Sequence, residues 1–343
     1  MGKPTISVAC DRGNTGIKLV VSTEEKSLKP FKIPSVLMKV DGHGQSIKIK
    51  NESWLCGDDA MRVQRGDRHT PMEDRAAGKV SHLSVVVARA VHAMNKTGGD
   101  FYLNVAASTP FAGSGDALNK DIQKEIGKLG DGFSIGSTQY RPELGRVGCA
   151  HEGLILLETN PEYDGVIDMG YGTILGGYRK IDGSIQQVTT DRVGCVDALE
   201  AMRNDSRFAK AVQDAGFTSV PPLAKLSALL GSERWTVKNI DFRKFLDVSI
   251  LQNSIADLMK SVLEGIARDD KWRDESPRIA LIGGAACLLK GVLAEEKLDK
   301  WKTKIGIDIF SHAPDCQTAL ILAQLQKTNP DRFPKMGGSK NVK

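Results

Sequence analysis

Apolar positions along this chain follow two different periods. Thr5 to Cys10 is a β-rich apolar run, and Ile17 to Val21 is another. The polar, glycine-containing stretch between them reads as a hairpin turn longer than two residues. Phe31 to Val40 and Ser46 to Lys50 predict further strands around the turn Asp41-Gly42-His43-Gly44. From Arg75 to Asn95 the period becomes helical, with Val80, Leu83, Val87, Ala90, Val91 and Met94 on one face, and Gly98-Gly99 close it. Phe101 to Ala107 reads as a buried strand, and Asp116 to Leu129 as a second helix.

The pattern then restarts. Gly165 opens a second hairpin, Ser184 to Val188 adds a strand, and Gly194 to Met202 begins a helix. Residues 203–245 mix helix and loop. Leu251 to Ile266 carries the strongest helical face, and Arg278 to Ile282 is a strand running into Gly283-Gly284. A last helix spans Asp315 to Gln326, before Pro330 and Pro334. Strands and helices alternate in each half, so the expected class is α/β, with two related domains and a cleft between them. The expected division is 1–155 (with a small subdomain about 30–75), 156–312 (with a subdomain about 195–270), a returning helix 313–328 and a disordered tail 329–343.

Composition narrows the function classes. The chain has 343 residues and a formal charge of +5, with acids and bases interspersed. That excludes the concentrated basic stripe of a dedicated DNA binder, so direct tight nucleic-acid binding is not expected. No apolar run approaches the ~20 residues of a membrane span, and no leader is expected. The six cysteines are scattered without metal-ligand spacing, which fits reduced thiols and a cytoplasmic setting.

The chemistry concentrates in two glycine loops. Cys10-Asp11-Arg12-Gly13-Asn14-Thr15-Gly16-Ile17-Lys18 is the first, and Asp168-Met169-Gly170-Tyr171-Gly172-Thr173 is the second. Such turns present backbone N–H groups to anionic oxygens. Gly13, Gly16, Gly170 and Gly172 permit close approach, Thr15 and Thr173 donate hydroxyl hydrogen bonds, and Lys18 neutralises phosphate charge. Asp11 and Asp168 suit a hydrated Mg²⁺. A third element, Ile279 to Ile282 followed by Gly283-Gly284-Ala285, lets a planar base lie against backbone. Each element alone is also compatible with an ordinary turn.

Together, and in this order, the three elements resemble the actin-like ATPase superfamily over about residues 5–326. The likeness is strongest to its plasmid-segregation members, the ParM/StbA group. The resemblance implies an actin-like, ribonuclease H-like duplicated fold with two phosphate hairpins and an adenosine motif at Gly283, Gly284 and Ala285. It makes Asn14 and Tyr171 phosphate-loop residues. It also implies that Glu152, in a stretch resembling the family's crossing helix, positions the attacking water; the other reading is an acid at a helix N-terminus. Asp197 then reaches the ribose, or is a surface helix acid. Ala285 departs from the family, which often has glycine or a small polar residue there. The implied activity is hydrolysis of ATP (or GTP) with Mg²⁺, coupled to filament assembly and DNA segregation through a separate adaptor. Two alternatives stay open: a small-molecule kinase of the same fold, with Asp74 or another acid as base, and a nucleotide-binding scaffold without turnover.

Overall fold

The computed structural model describes residues 2–13, 16–27, 29–42, 44–63, 68–69, 77–109, 115–170, 172, 174–189, 195–223, 225–226, 229, 235–270, 276–284, 286, 289, 307–309 and 317–336. Two compact units emerge, one formed by Met1–Glu152 with Thr318–Lys343, the other by Gly153–Gln317.

The first unit is built on a ten-stranded sheet. β1 (Thr5–Arg12) and β2 (Gly16–Ser22) form an antiparallel hairpin, with Asp11 opposite Lys18 and Arg12 opposite Ile17. The Gly13 N–H donates to the Gly16 carbonyl at 3.0 Å, so pairing runs on to these two glycines. β3 (Phe31–Pro34) extends the hairpin into a meander. On its other side β1 pairs in parallel with β8 (Gly99–Thr109), and β8 with β10 (Thr138–His151). β9 (Phe133–Ile135), β5 (Ile47–Ile49), β6 (Glu52–Cys56), β4 (Leu37–Lys39) and β7 (Arg68–His69) continue the sheet in that order. Its core includes Phe101, Leu103 and Tyr140, whose ring stacks on Phe133 at 4.6 Å.

Four expectations change here. The run Phe31–Val40 splits into β3 and β4, because Pro34 has no N–H to continue a ladder. The helix from Arg75 is two pieces, Ala77–Val80 and Leu83–Met94, divided where His82 takes a left-handed conformation (φ 57°). The stretch that resembles a crossing helix is not one at Glu152: the fourteen-residue β10 leads up to that residue, and a helix follows only at Ile155–Thr159. Residues 329–336 are anchored through Phe333 and backbone hydrogen bonds rather than disordered, and 337–343 lie outside the described residues. Phe333 is 1% exposed, Val147 N–H donates to the Pro334 carbonyl at 2.9 Å, and Met336 N–H to the Gly145 carbonyl at 2.8 Å. They occupy β10 where its pairing with β8 shifts register between Leu144 and Val147.

The second unit repeats the central plan. β11 (Gly165–Met169), β12 (Ile174–Arg179) and β13 (Ile185–Thr189) form a meander, and β11 also pairs in parallel with a later strand. A small hairpin, β14 (Thr236–Val237) and β15 (Ile240–Asp241), stands apart from the sheet. β16 (Ile279–Ile282) and β17 (Ile307–Ile309) complete the order β13-β12-β11-β16-β17. That order and direction match β3-β2-β1-β8-β10, as a duplicated fold requires. The long helix Val248–Asp269 covers this sheet with Leu258, Val262 and Ile266. Its N-cap is Asp247, whose carboxylate accepts from the Ser249 N–H at 3.0 Å, a contact worth about 1 kcal/mol. Gly176 lets the helix close on the sheet: a Cβ there would meet Leu258 at 2.9 Å.

Candidate functional site

The parallel strands β1, β8 and β10 end together, with Cys10 beside Ala107 and Thr109 beside His151. In open α/β sheets, ligands bind outside such carboxyl ends. Here the strand ends deliver charge into a buried setting. Asp11 is 3% exposed. One of its carboxylate oxygens accepts from Lys18 Nζ at 2.8 Å, the other from Ser108 Oγ at 2.5 Å. The hairpin register places Lys18 directly across from Asp11. Burial acts to raise the Asp11 carboxyl. The charges of Lys18 and Lys79, with the hydrogen bonds from Lys18 and Ser108, outweigh it and hold the group below the ordinary carboxylate range.

A second ion pair stands beside the first. Lys79, in the short helix Ala77–Val80, donates to Glu152, and their side chains are 6% and 12% exposed. Glu152 follows β10, and its N–H donates to the Thr109 carbonyl at 2.8 Å, which fixes the turn. The first unit therefore holds two carboxylates and two ammonium groups at one edge, and both Asp11 oxygens are already engaged. Burial pushes the Cys10 thiol well above its ordinary range, and the neighbouring Asp11 adds to this, so Cys10 stays a neutral thiol.

The second unit places Asp168 at the end of β11, in register with Ile282 at the end of β16. The group is 8% exposed. Two glycines with positive φ press on it. At Gly283 (φ 93°) a Cβ would lie 2.4 Å from Asp168 Oδ1 and 2.5 Å from the Met169 carbonyl oxygen. At Gly153 (φ 70°) it would lie 2.9 Å from Asp168 Oδ2. The carboxylate rests in a cradle that only glycine backbone allows. The Gly170 carbonyl accepts from the Cys195 N–H at 3.3 Å, which ties the hairpin to the helix Cys195–Asn204 and sets Asp197 in its first turn.

Of the residues singled out from sequence, the first unit brings together Asp11, Lys18 and Glu152, with Gly13 and Gly16 at the end of the same hairpin. The second brings Gly283 onto Asp168, with Gly170 just beyond β11, Gly172 in the same turn and Gly284 opening a helical turn. Asn14, Thr15, Asp74, Tyr171, Thr173 and Ala285 lie outside the described residues. Sequence reading missed Lys79, Ser108 and the role of Gly153. For Lys79 a signal existed. It lies four positions before Leu83 in an apolar helical pattern, and a lysine there needs a charged partner.

No protein-family model and no curated protein matches the chain. Solved structures do. A Bacillus thuringiensis ParM hybrid protein with ADP, containing two ParM mutants, aligns at TM-score 0.59 and 14% identity, covering 94% of this chain. The chain spans 49% of the length of that hybrid. The MamK double helical filament aligns at TM-score 0.56 and 15% identity, covering 93% of this chain and 99% of that one. The Alp12 filament structure aligns at TM-score 0.52 and 12% identity, over 94% and 98%. The fold of this chain is the actin-like fold. No helix among the described residues is long and apolar enough to cross a membrane.

Proposed function

We propose that this chain binds ATP (or GTP) with Mg²⁺, hydrolyses it, and uses the cycle to assemble and disassemble filaments of itself. The observation that carries the reading is the pair of buried ion pairs, Lys18–Asp11 and Lys79–Glu152, at one strand edge. A structural role alone gives a weak reason to bury two such pairs, because desolvation offsets their attraction. A phosphate-handling role supplies a stronger one: each lysine can exchange its carboxylate for phosphate oxygens, releasing an acid for work. Lys18 moving to phosphate frees Asp11. Lys79 moving to phosphate frees Glu152 to orient water and accept its proton. Positioning and charge stabilisation are the main tasks in such a reaction.

Mg²⁺ supplies charge neutralisation on the phosphates. Asp11, with one oxygen held by Ser108 and the other released by Lys18, would hold the hydrated metal through its waters. Asp168, held in its glycine cradle, is the second unit's acid for the same task. Asp197, near the start of its helix, is proposed to reach the ribose.

Solved relatives in fold include filaments, which supports self-association. Head-to-tail contacts between copies are heterologous and build open helices. We assign the filament to segregation of plasmid or other DNA through an adaptor protein, in the cytoplasm. The test is turnover without any acceptor. Phosphate release that rises steeply above a critical protein concentration, with polymers seen by electron microscopy in ATP and not in ADP, supports the reading. Release only after adding an acceptor alcohol would replace it with a kinase, and binding without release with a scaffold.

A further inference from the structure

Arg12 takes no part in the site described above, yet it is 2% exposed. It follows Asp11 in β1, and successive strand residues point to opposite faces. Its Nη1 donates to the Ser81 carbonyl. Among the described residues no carboxylate hydrogen-bonds to it, and its Nε has no hydrogen-bond partner. Burial acts against the charged guanidinium and holds it below its ordinary range, and the opposing influences of Cys10, Cys56 and Glu125 do not make up for it. A buried cation held this poorly is a cost to folding, so its position needs a reason.

The carbonyl it grips supplies one. Ser81 directly follows the helix Ala77–Val80, whose last carbonyls lack helical partners. The next residue, His82, has φ 57°, and its ring lies 4.3 Å from Trp54 and 5.2 Å from His69. The break between the two helices is held by Arg12 on one hand and by this aromatic cluster on the other. Two residues upstream of Ser81 stands Lys79, bonded to Glu152 and close enough to act on the Asp11 charge.

We propose that Arg12 is a positioning residue for Lys79. By gripping the Ser81 carbonyl it fixes the end of the short helix, and so holds the Lys79 ammonium beside Glu152 and Asp11. The consequence for turnover rests on the phosphate-handling reading; the structural part does not.

The test pairs amine acylation with kinetics. Wild type, Arg12→Met and Arg12→Lys are treated with acetic anhydride, and labelling of each lysine is followed by mass spectrometry. In Arg12→Met, Lys79 should label about tenfold faster while distant lysines keep their rates. With Mg²⁺ and ATP, kcat should fall about tenfold or more and KM stay within about twofold, as expected when a catalytic group is misplaced. Arg12→Lys keeps a cationic donor and should restore protection and kcat in part. Unchanged protection of Lys79 in a folded Arg12→Met protein overturns the proposal. Should that variant not fold, Arg12→Gln, polar but too short to reach Ser81, is labelled in its place with the same two readings. If wild type releases no phosphate, the labelling still decides the positioning role, and only the ATPase reading falls.

Discussion

A lysine and a glutamate buried together keep their value only as a pair. Glu152→Ala would leave Lys79 without its hydrogen-bonded partner, with only the Asp11 charge near it, at a cost of about 3 kcal/mol. It would also slow hydrolysis by about a hundredfold or more while nucleotide binding persists, giving longer-lived filaments. Thermal melting and phosphate release measure the two effects separately, and normal phosphate release would remove Glu152 from the mechanism. Asp11 sets a pH dependence. Its folded carboxyl titrates below the unfolded value of 3.8, so its stabilisation is complete above that value and is lost as the pH falls through the lower, folded one. Urea midpoints measured from pH 6 down to pH 3 should decline at the acid end, and Asp11→Asn should decline less steeply. Lys18, Asp11 and Glu152 were legible in sequence because the loop pattern and the resemblance mark them. Ser108 was not, since a serine ending an apolar strand looks like any strand terminus until the partner strand brings Asp11 beside it.

At the scale of elements, the glycine cradle makes a sharp prediction. Gly283→Ala and Gly153→Ala each force a side chain into a left-handed conformation, at about 1–2 kcal/mol, and into the Asp168 carboxylate as well. Melting temperature should drop in both. Nucleotide affinity, read by calorimetry, should weaken with it, whereas Gly183→Ala, also at positive φ but open to space, should cost stability alone. The hairpins and the long helix were readable because their periods are clean. The strand β10 was not: Pro142, Gly145 and Gly148 interrupt its alternation, and the register shift between Leu144 and Val147 hides what remains. The packed segment beside that shift looked like a tail for a related reason. Its prolines and glycines speak of local chain stiffness, whereas one residue, Phe333, decides its fate by burial. Phe333→Ala should cost about 3–5 kcal/mol, visible as a lower urea midpoint and faster hydrogen exchange at Gly145–Val147.

For the whole molecule, the repeated strand order was foreseeable from the repeated loops, while the route of the chain through its two units was only partly so. Light scattering in ATP, ADP and no nucleotide should show polymer in the first condition alone, and identical traces in all three would count against a nucleotide-driven filament. The route itself has a further consequence. The second unit is one uninterrupted stretch, Gly153–Gln317, that falls in sequence between the two segments of the first, whose closing helix from Thr318 on and whose Phe333 come after it. Gln326 reaches back to the Val8 carbonyl at 3.4 Å. On a ribosome, therefore, the half that is begun earliest is finished latest. Its nascent sheet must wait, without its closing helix and Phe333, until the intervening half has emerged, and chaperones that hold nascent chains should matter more to the yield of this half than to that of its neighbour.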